Sequence, residues 1–380
     1  MLVAGESHGP ALVGILEGLP AGVPVTREGL ARDLRRRRLV AGRSARQSVE
    51  RDDVEVLAGL RGGATLGSPV ALVLRNAEAQ RWAAAMDPFV VDDAAANAVR
   101  VTRPRPGHAD LAGAKKLDVD DLRAVLERAS ARETAMRTAV GALARALLAA
   151  VGVRVTSSVR ALGSVCAPDL KLPFDERAAR ADASPVRCVD EGSATNMLAA
   201  IDEAGAAGDT LGGEIEVQAE GLPQGLGSFA HADRRLSARL AGALASIPAV
   251  RGVGFGVGFE AAARTGRALH DAILDIDGHR ASNRAGGLEG GMSNGMPLVL
   301  RAAVKPLAMV QGGVDSVDLV TGATVDGHVE RSDVTAVPAA AVVAEAMVCL
   351  VLADALLEKF GGDTLTQLRA HLGATGHRLP

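Results

Sequence analysis

Between Val334 and Leu352 the chain runs through alanine, valine, leucine, methionine and cysteine with a single charged residue, Glu345. A helix apolar on every side either crosses a membrane or forms the buried centre of a soluble fold. The many alanines, the internal Pro338 and the following Asp354 and Glu358 favour the second, with the helix expected from about Pro338 to Phe360. The whole chain agrees: 380 residues, 48% hydrophobic, 23% charged, net charge -3, the profile of a soluble globular protein. Aromatic residues make up only 2%, with one Trp and no Tyr, so the core must be filled mostly by Ala, Val and Leu. The same shortage leaves little for stacking single-stranded nucleic acid, and the slightly acidic balance argues against a DNA binder. Cys166, Cys188 and Cys349 lie far apart, without CxxC or metal-ligand histidine spacing, which points away from disulfides and structural zinc. The N-terminus lacks the basic start and apolar run of a signal peptide. A cytoplasmic protein with no membrane or nucleic-acid partner is expected.

The length alone would allow about two or three domains, but no stretch reads as a linker, so one domain over residues 1–380 is expected. Strand-like runs at Ala11–Glu17, Val54–Gly59 and Pro69–Leu74 are each bounded by Gly or Pro. A helix from Thr26 to Arg38 has Thr26 as its cap and arginines at its negative end. Helical spacing then covers Asp118 to Ala150. Further on, Gly213–Ala219, Val250–Val257 and Pro297–Val304 read as strands and Asp233–Ser246 as an amphipathic helix. Strands and helices mix without regular alternation, which makes the fold class α+β rather than a doubly wound sheet or barrel.

The glycine run Gly252 to Gly258 fails the GxGxxG spacing at Val257, so a Rossmann-bound nicotinamide is not indicated. Gly5-Glu6-Ser7-His8-Gly9 matches GxSxG. It reads either as the elbow of a serine hydrolase, which needs a strand before it and a helix after, or as a tight loop presenting a hydroxyl and an imidazole together. Seven arginines lie at 35, 36, 37, 38, 43, 46 and 51. Arg35 and Arg36 read as a solvated helix end, whereas Arg43 and Arg46 fall in a loop suited to a carboxylate or phosphate. Arg103-Pro104-Arg105-Pro106-Gly107-His108 is a stiff loop that would position His108 for acid–base work. Arg128 and Arg132, four apart, would share a helical face, with Glu133 or Asp121 as ion-pair partners in the plainer reading. The run Asn283 to Gly295 is dense enough in glycine to bring backbone N–H groups to a ligand. Asp333, after Glu330-Arg331-Ser332, reads at its plainest as a helix-entry residue.

Taken together, GESHGPAL, RPRPGHAD, LERASARET, GDTLGGEIEV, NRAGGLEGGMSNG and RSDVTAVPAAAVVAEAM resemble the chorismate synthase family, in order from Gly5 to about Gly362. The resemblance implies a lyase acting at the last step of the shikimate pathway. It converts 5-enolpyruvylshikimate-3-phosphate to chorismate and phosphate by 1,4-elimination with reduced FMN. It also implies a β-α-β sandwich, with helices between two antiparallel sheets, a homotetramer, and an association with NADP. Carried over by motif, Ser7 and His8 belong to the substrate-phosphate loop, with His8 as proton donor. His108 faces the flavin, and Asp333 lies near flavin N5 and assists removal of the C6 proton. Arg37, Arg43, Arg46, Arg105, Arg132 and Arg331 line the anionic pocket. Arg128, Ala129, Ser130, Pro248, Ala249, Gly290, the segment Lys305-Pro306-Leu307-Ala308-Met309 and Arg331 contact the flavin. The family commonly ends that last segment in Ser-Thr, and here both hydroxyls are gone; Leu111 and Leu117 replace frequent aromatics, and Met296 a frequent Gln. With no nucleotide fingerprint, an external flavin reductant is expected. Against the lyase stand a serine hydrolase centred on Ser7 and a non-catalytic flavin or anion carrier.

Overall fold

The computed structural model describes residues 1–43, 52–90, 92–330 and 333–377. Among these residues, a four-stranded sheet runs in the order Leu2–Ala4, Ala11–Leu16, Val70–Arg75, Val54–Ala58. A five-stranded sheet runs Val250–Phe255, Leu298–Val304, Gly213–Glu220, Arg154–Leu162, Val165–Cys166. Every neighbouring pair in both sheets is antiparallel. The expected strands are present, each within about two residues of its expected ends.

The layers between the sheets follow from side-chain size. In Ala11–Leu16 the alternate residues Leu12, Gly14 and Leu16 turn inward. A Cβ at Gly14 would lie 2.6 Å from Met136 Sδ and 2.7 Å from Val140 Cγ2, so its absence seats the helix Glu133–Ala150 against the first sheet. That helix crosses Val337–Phe360, which packs in turn on the strands Arg154–Leu162 and Gly213–Glu220 of the second sheet. The result is sheet, helix, helix, sheet, the sandwich expected from the sequence. The long apolar helix is the buried centre of this stack, and Val342, Val348, Leu352 and Leu356 are closed off from solvent.

The helices meet where Gly141 faces Ala346. A Cβ on Gly141 would fall 2.4 Å from Ala346 Cβ, 2.7 Å from its Cα and 2.9 Å from its carbonyl oxygen. Backbone cannot step aside as a flexible side chain can. Gly141→Ala is therefore expected to destabilise the protein by about 1–3 kcal/mol despite the better helix propensity of alanine. A denaturant midpoint equal to wild type would show that the helices separate freely.

Two sequence expectations are corrected. The helix expected over Asp118–Ala150 is two, Arg123–Ala129 and Glu133–Ala150. Asp118 is left-handed (φ 56°) and closes an earlier helix, Asp110–Leu117, while Ser130 is extended (ψ 139°). The break is stabilised by side chains: Ser130 donates to Ser7 Oγ at 3.2 Å, and Arg132 Nε to Asn76 Oδ1 at 3.1 Å. Nor is Arg36 a solvated helix end. Its guanidinium makes a two-pronged contact with Glu345, 2.8 Å on each side, and a third bond to Asp33 at 2.9 Å. Glu345 is fully buried, and it also accepts from Arg145, Arg187 and Ser157. Burial acts to raise its carboxyl, but Arg36 and Arg145 outweigh burial and hold it well below the usual carboxylate range. The one buried charge of the apolar helix is thus the hub of an ion network tying that helix to Arg27–Arg38, to Glu133–Ala150 and to the second sheet.

Candidate active site

The first two strands form a hairpin, and its connection is Gly5-Glu6-Ser7-His8-Gly9-Pro10. Gly5 has φ +112°, and a Cβ there would sit 2.4 Å from the Ala11 carbonyl oxygen, so the turn requires glycine. A second strand follows rather than a helix, which removes the strand–turn–helix setting of a hydrolase elbow. The loop is held from beneath by the Arg123–Ala129 helix. Ser7 N–H donates to the Glu127 carbonyl at 3.2 Å, and His8 N–H donates to Glu127 Oε2 at 2.7 Å. His8 Nδ1 lies 2.8 Å from Glu127 Oε1. Burial works to raise the Glu127 carboxyl, yet the hydrogen bonds and charge of His8, with Arg123, hold it below its ordinary range. An ionised Glu127 therefore accepts a hydrogen bond from Nδ1–H and leaves Nε2 as the other working ring nitrogen.

Asp110 plays the same part for the second basic loop. Fully buried, it accepts from Arg105 Nε at 2.8 Å and sits 2.6 Å from His108 Nδ1. Burial pushes its carboxyl up, but the bonds from His108 and Arg105 win and hold it far below the usual range. Glu127 and Asp110 were both missed as site residues by the sequence reading. The available signal was local: each lies inside a motif already singled out, LERASARET and RPRPGHAD.

A cavity of about 370 Å³ opens between these loops. Ser7, His8, Arg37, Arg43 and Arg132 are among its lining. Pro248, Ala249 and Lys305 to Met309 also line it, as do Arg105, His108, Ala129, Ser130 and Asp333. Arg37 is only 2% exposed; it donates through Nε to Thr134 Oγ1 at 3.2 Å and through Nη2 to the Ala131 carbonyl at 3.1 Å. Among the described residues its Nη1 and the Nε of Arg43 are buried without a hydrogen-bond acceptor. Burial, and next the charge of Arg43, push the Arg37 guanidinium down to about 9. Such crowding of cations is relieved by an anion.

Other expectations are corrected here. Arg128 and Arg132 do not share a helical face, because the break at Ser130 separates them. Arg128 donates to the Gly5 and Val3 carbonyls at 3.0 and 2.9 Å and so pins the hairpin; it is not among the residues lining the cavity. Arg132 pairs with Asp52 rather than with Glu133 or Asp121. Asp333 does not cap the helix, which starts at Val337 after Ala336; instead its Oδ2 lies 3.1 Å from Arg43 Nη1. Gly290 sits with φ +59° in the turn between Leu288–Glu289 and Met292–Ser293, apart from the cavity lining. The glycine-dense loop around it spends its N–H groups internally: Arg284 and Ala285 donate to Asp271, each at 2.9 Å, and Gly287 donates to Asn283 at 2.8 Å. Leu111 and Leu117 are exposed and line no part of the cavity. Arg46 and Arg331 lie outside the described residues.

The family model for chorismate synthase matches residues 1–357. The chain belongs to the chorismate synthase family. It is 55% identical to a chorismate synthase of Thermobifida fusca, over 98% of each chain. It is 53% identical to one of Streptomyces coelicolor, covering 98% of this chain and 96% of that one. A crystal structure of a chorismate synthase aligns with TM-score 0.78 and 38% identity, over 98% of this chain and 96% of the other. Like other chorismate synthases, the chain is a carbon–oxygen lyase of the shikimate pathway, on an α+β fold.

Proposed function

We propose that this chain eliminates phosphate from 5-enolpyruvylshikimate-3-phosphate to give chorismate, with FMN bound in its reduced form. The observation that carries the reading is the make-up of the cavity: a histidine and a serine beside buried arginines with unmet hydrogen-bond capacity, and a mostly apolar wall beyond them. The arginine side suits a substrate bearing phosphate and carboxylates. The wall of Pro248, Ala249, Ala129 and Lys305 to Met309, with His108 and Arg105 beside it, fits a planar ring carrying polar edges and an anionic tail. Reduced FMN, when bound there, would supply an electron-rich partner for a C–O bond that breaks before an unacidified C–H bond.

Arg37, Arg43, Arg46 and Arg331 bind the anionic groups of the substrate, and Ser7 donates to its phosphate. As the C3–O bond breaks, its electron pair leaves with the phosphate, and His8 gives the departing oxygen a proton from Nε2. Glu127 holds the imidazole in that orientation. Asp333, tethered through Oδ2 to Arg43, accepts the proton lost from C6, whose bonding pair enters the ring as a new double bond while the existing one shifts toward C3. Fixed cations aimed at developing charge in a closed site are the largest single contribution available to such a reaction. Arg128, Gly290 and Arg331 stay in the reading as flavin contacts by motif alone. An external reductant is proposed because the chain has no nucleotide fingerprint, so NADP enters only through that partner. A homotetramer in the cytoplasm is carried over from the family resemblance.

In the wall, Thr210 Oγ1 holds the Leu307 carbonyl at 2.8 Å, which orients the segment where the family's Ser-Thr is Ala308-Met309. Restoring both hydroxyls, Ala308→Ser with Met309→Thr, is expected to tighten FMN by about 0.5–1.5 kcal/mol per bond gained, read by flavin titration. Unchanged or weaker affinity would mean that the hydroxyls find no acceptor on the flavin. The reading as a whole is tested by anaerobic incubation with enolpyruvylshikimate phosphate. Phosphate release is expected with reduced FMN and none without it; equal release in both would restore a hydrolase.

A further inference from the structure

The chain's single tryptophan, Trp82, stacks on His8 with ring centroids 4.1 Å apart and planes 22° from parallel. We propose that Trp82 is a positioning residue that holds the plane of the His8 imidazole during proton donation, an inference that rests on His8 being the donor. The bond from Nδ1 to Glu127 fixes one point of the ring, and a ring tethered at one nitrogen still tilts about the line to its acceptor. A face-on aromatic partner opposes that tilt. Both restraints are braced by one cation. The Arg123 guanidinium lies 5.2 Å from the Trp82 ring centroid, and its Nη1 is 3.3 Å from Glu127 Oε1. Arg123 is itself fixed by the Val99 carbonyl at 2.8 Å and by Glu330 at 3.0 Å.

The space around the pair shows why the stack matters. His8 borders two cavities, the catalytic one and a second of about 370 Å³ lined by Glu78, Trp82, Ala85, Ala95 and Val99 among others. Trp82 borders only the second, so it lies behind His8 as seen from the catalytic cavity. Without the indole, the imidazole has room to turn away from the phosphate. The four-residue helix Ala79–Trp82 contains no buried residue, so the core does not depend on it.

The test compares Trp82→Phe and Trp82→Leu with the parent protein, using reduced FMN and enolpyruvylshikimate phosphate. Trp82→Leu is expected to lower kcat by about 10–100-fold with KM nearly unchanged, because a small misplacement of a reacting group is costly. Trp82→Phe, which keeps a stacking face, should stay within about threefold of the parent. A second readout needs no turnover: the near-ultraviolet circular dichroism of the lone indole should change in His8→Asn, since the stacked ring is replaced. Parental kcat in Trp82→Leu, equal damage in both Trp82 variants, or an unchanged indole band in His8→Asn would each overturn the proposal. The underlying reading fails separately, if His8→Asn itself turns over normally. An inactive His8→Asn beside a fully active Trp82→Leu sinks the role of Trp82 alone.

Discussion

Asp333→Asn is expected to leave FMN and substrate binding near wild type and to lower turnover by about 10²–10⁴. The carboxylate and the amide have nearly the same shape, so the cavity should keep its form. What changes is chemistry: a carboxylate takes a proton and an amide does not. The structure sharpens this prediction, because Asp333 does not cap the helix that follows it. Its 3.1 Å contact with Arg43 holds it on the cavity wall, with its side chain 17% exposed. The amide oxygen can still accept from Arg43, which guards against a collapse of the arginine cluster. Rapid mixing of reduced FMN, substrate and variant, followed by phosphate release, separates the outcomes. Near-normal release would reduce Asp333 to a counter-ion for Arg43, and lost FMN affinity would recast it as a binding group.

The second large effect is on stability. Glu345→Ala removes the one buried acid of the apolar helix and takes away the carboxylate shared by Arg36, Arg145 and Arg187. Breaking a buried pair by deleting one partner costs about 3–5 kcal/mol, since the remaining charges are left in a poor solvent. Glu345→Gln should lose less, as the amide still accepts from Ser157 and one guanidinium. Chemical unfolding at fixed protein concentration measures both. A Glu345→Ala variant within about 1 kcal/mol of wild type would mean that water or Asp33 serves the arginines equally well.

Glu345 also shows what the sequence could and could not tell. The alanines around it, Pro338 and the following Asp354 and Glu358 signalled a buried helix, because a membrane span and a core helix differ in composition and flanks. Its partner Arg36 was misread as solvated. It lies 309 residues away in sequence, and nothing in an arginine run says which side chain turns inward. Local periodicity placed the strands and helices it named, but it left out the central strand Arg154–Leu162 and the helices Phe174–Ala183 and Glu191–Ala206, and it ran across the break at Ser130. That break is held by Ser7, Asn76 and Asp52, none of them near in sequence. Most of the cavity lining was legible through motifs: Ser7, His8, Arg37, Arg43, Arg105, His108, Arg132 and Lys305 to Met309 converge. The acids that orient the two histidines were not. A buried carboxylate is recognised by what it faces, and for Glu127 that is a loop 119 residues earlier.

The central claim is an elimination in which reduced FMN assists but is not consumed. The direct measurement supplies enolpyruvylshikimate phosphate in large excess over reduced FMN under anaerobic conditions and counts phosphate, chorismate and flavin. The account predicts equal amounts of phosphate and chorismate, many of each per flavin, with the flavin still reduced at the end. Phosphate without chorismate, or product limited to one molecule per flavin, would contradict it.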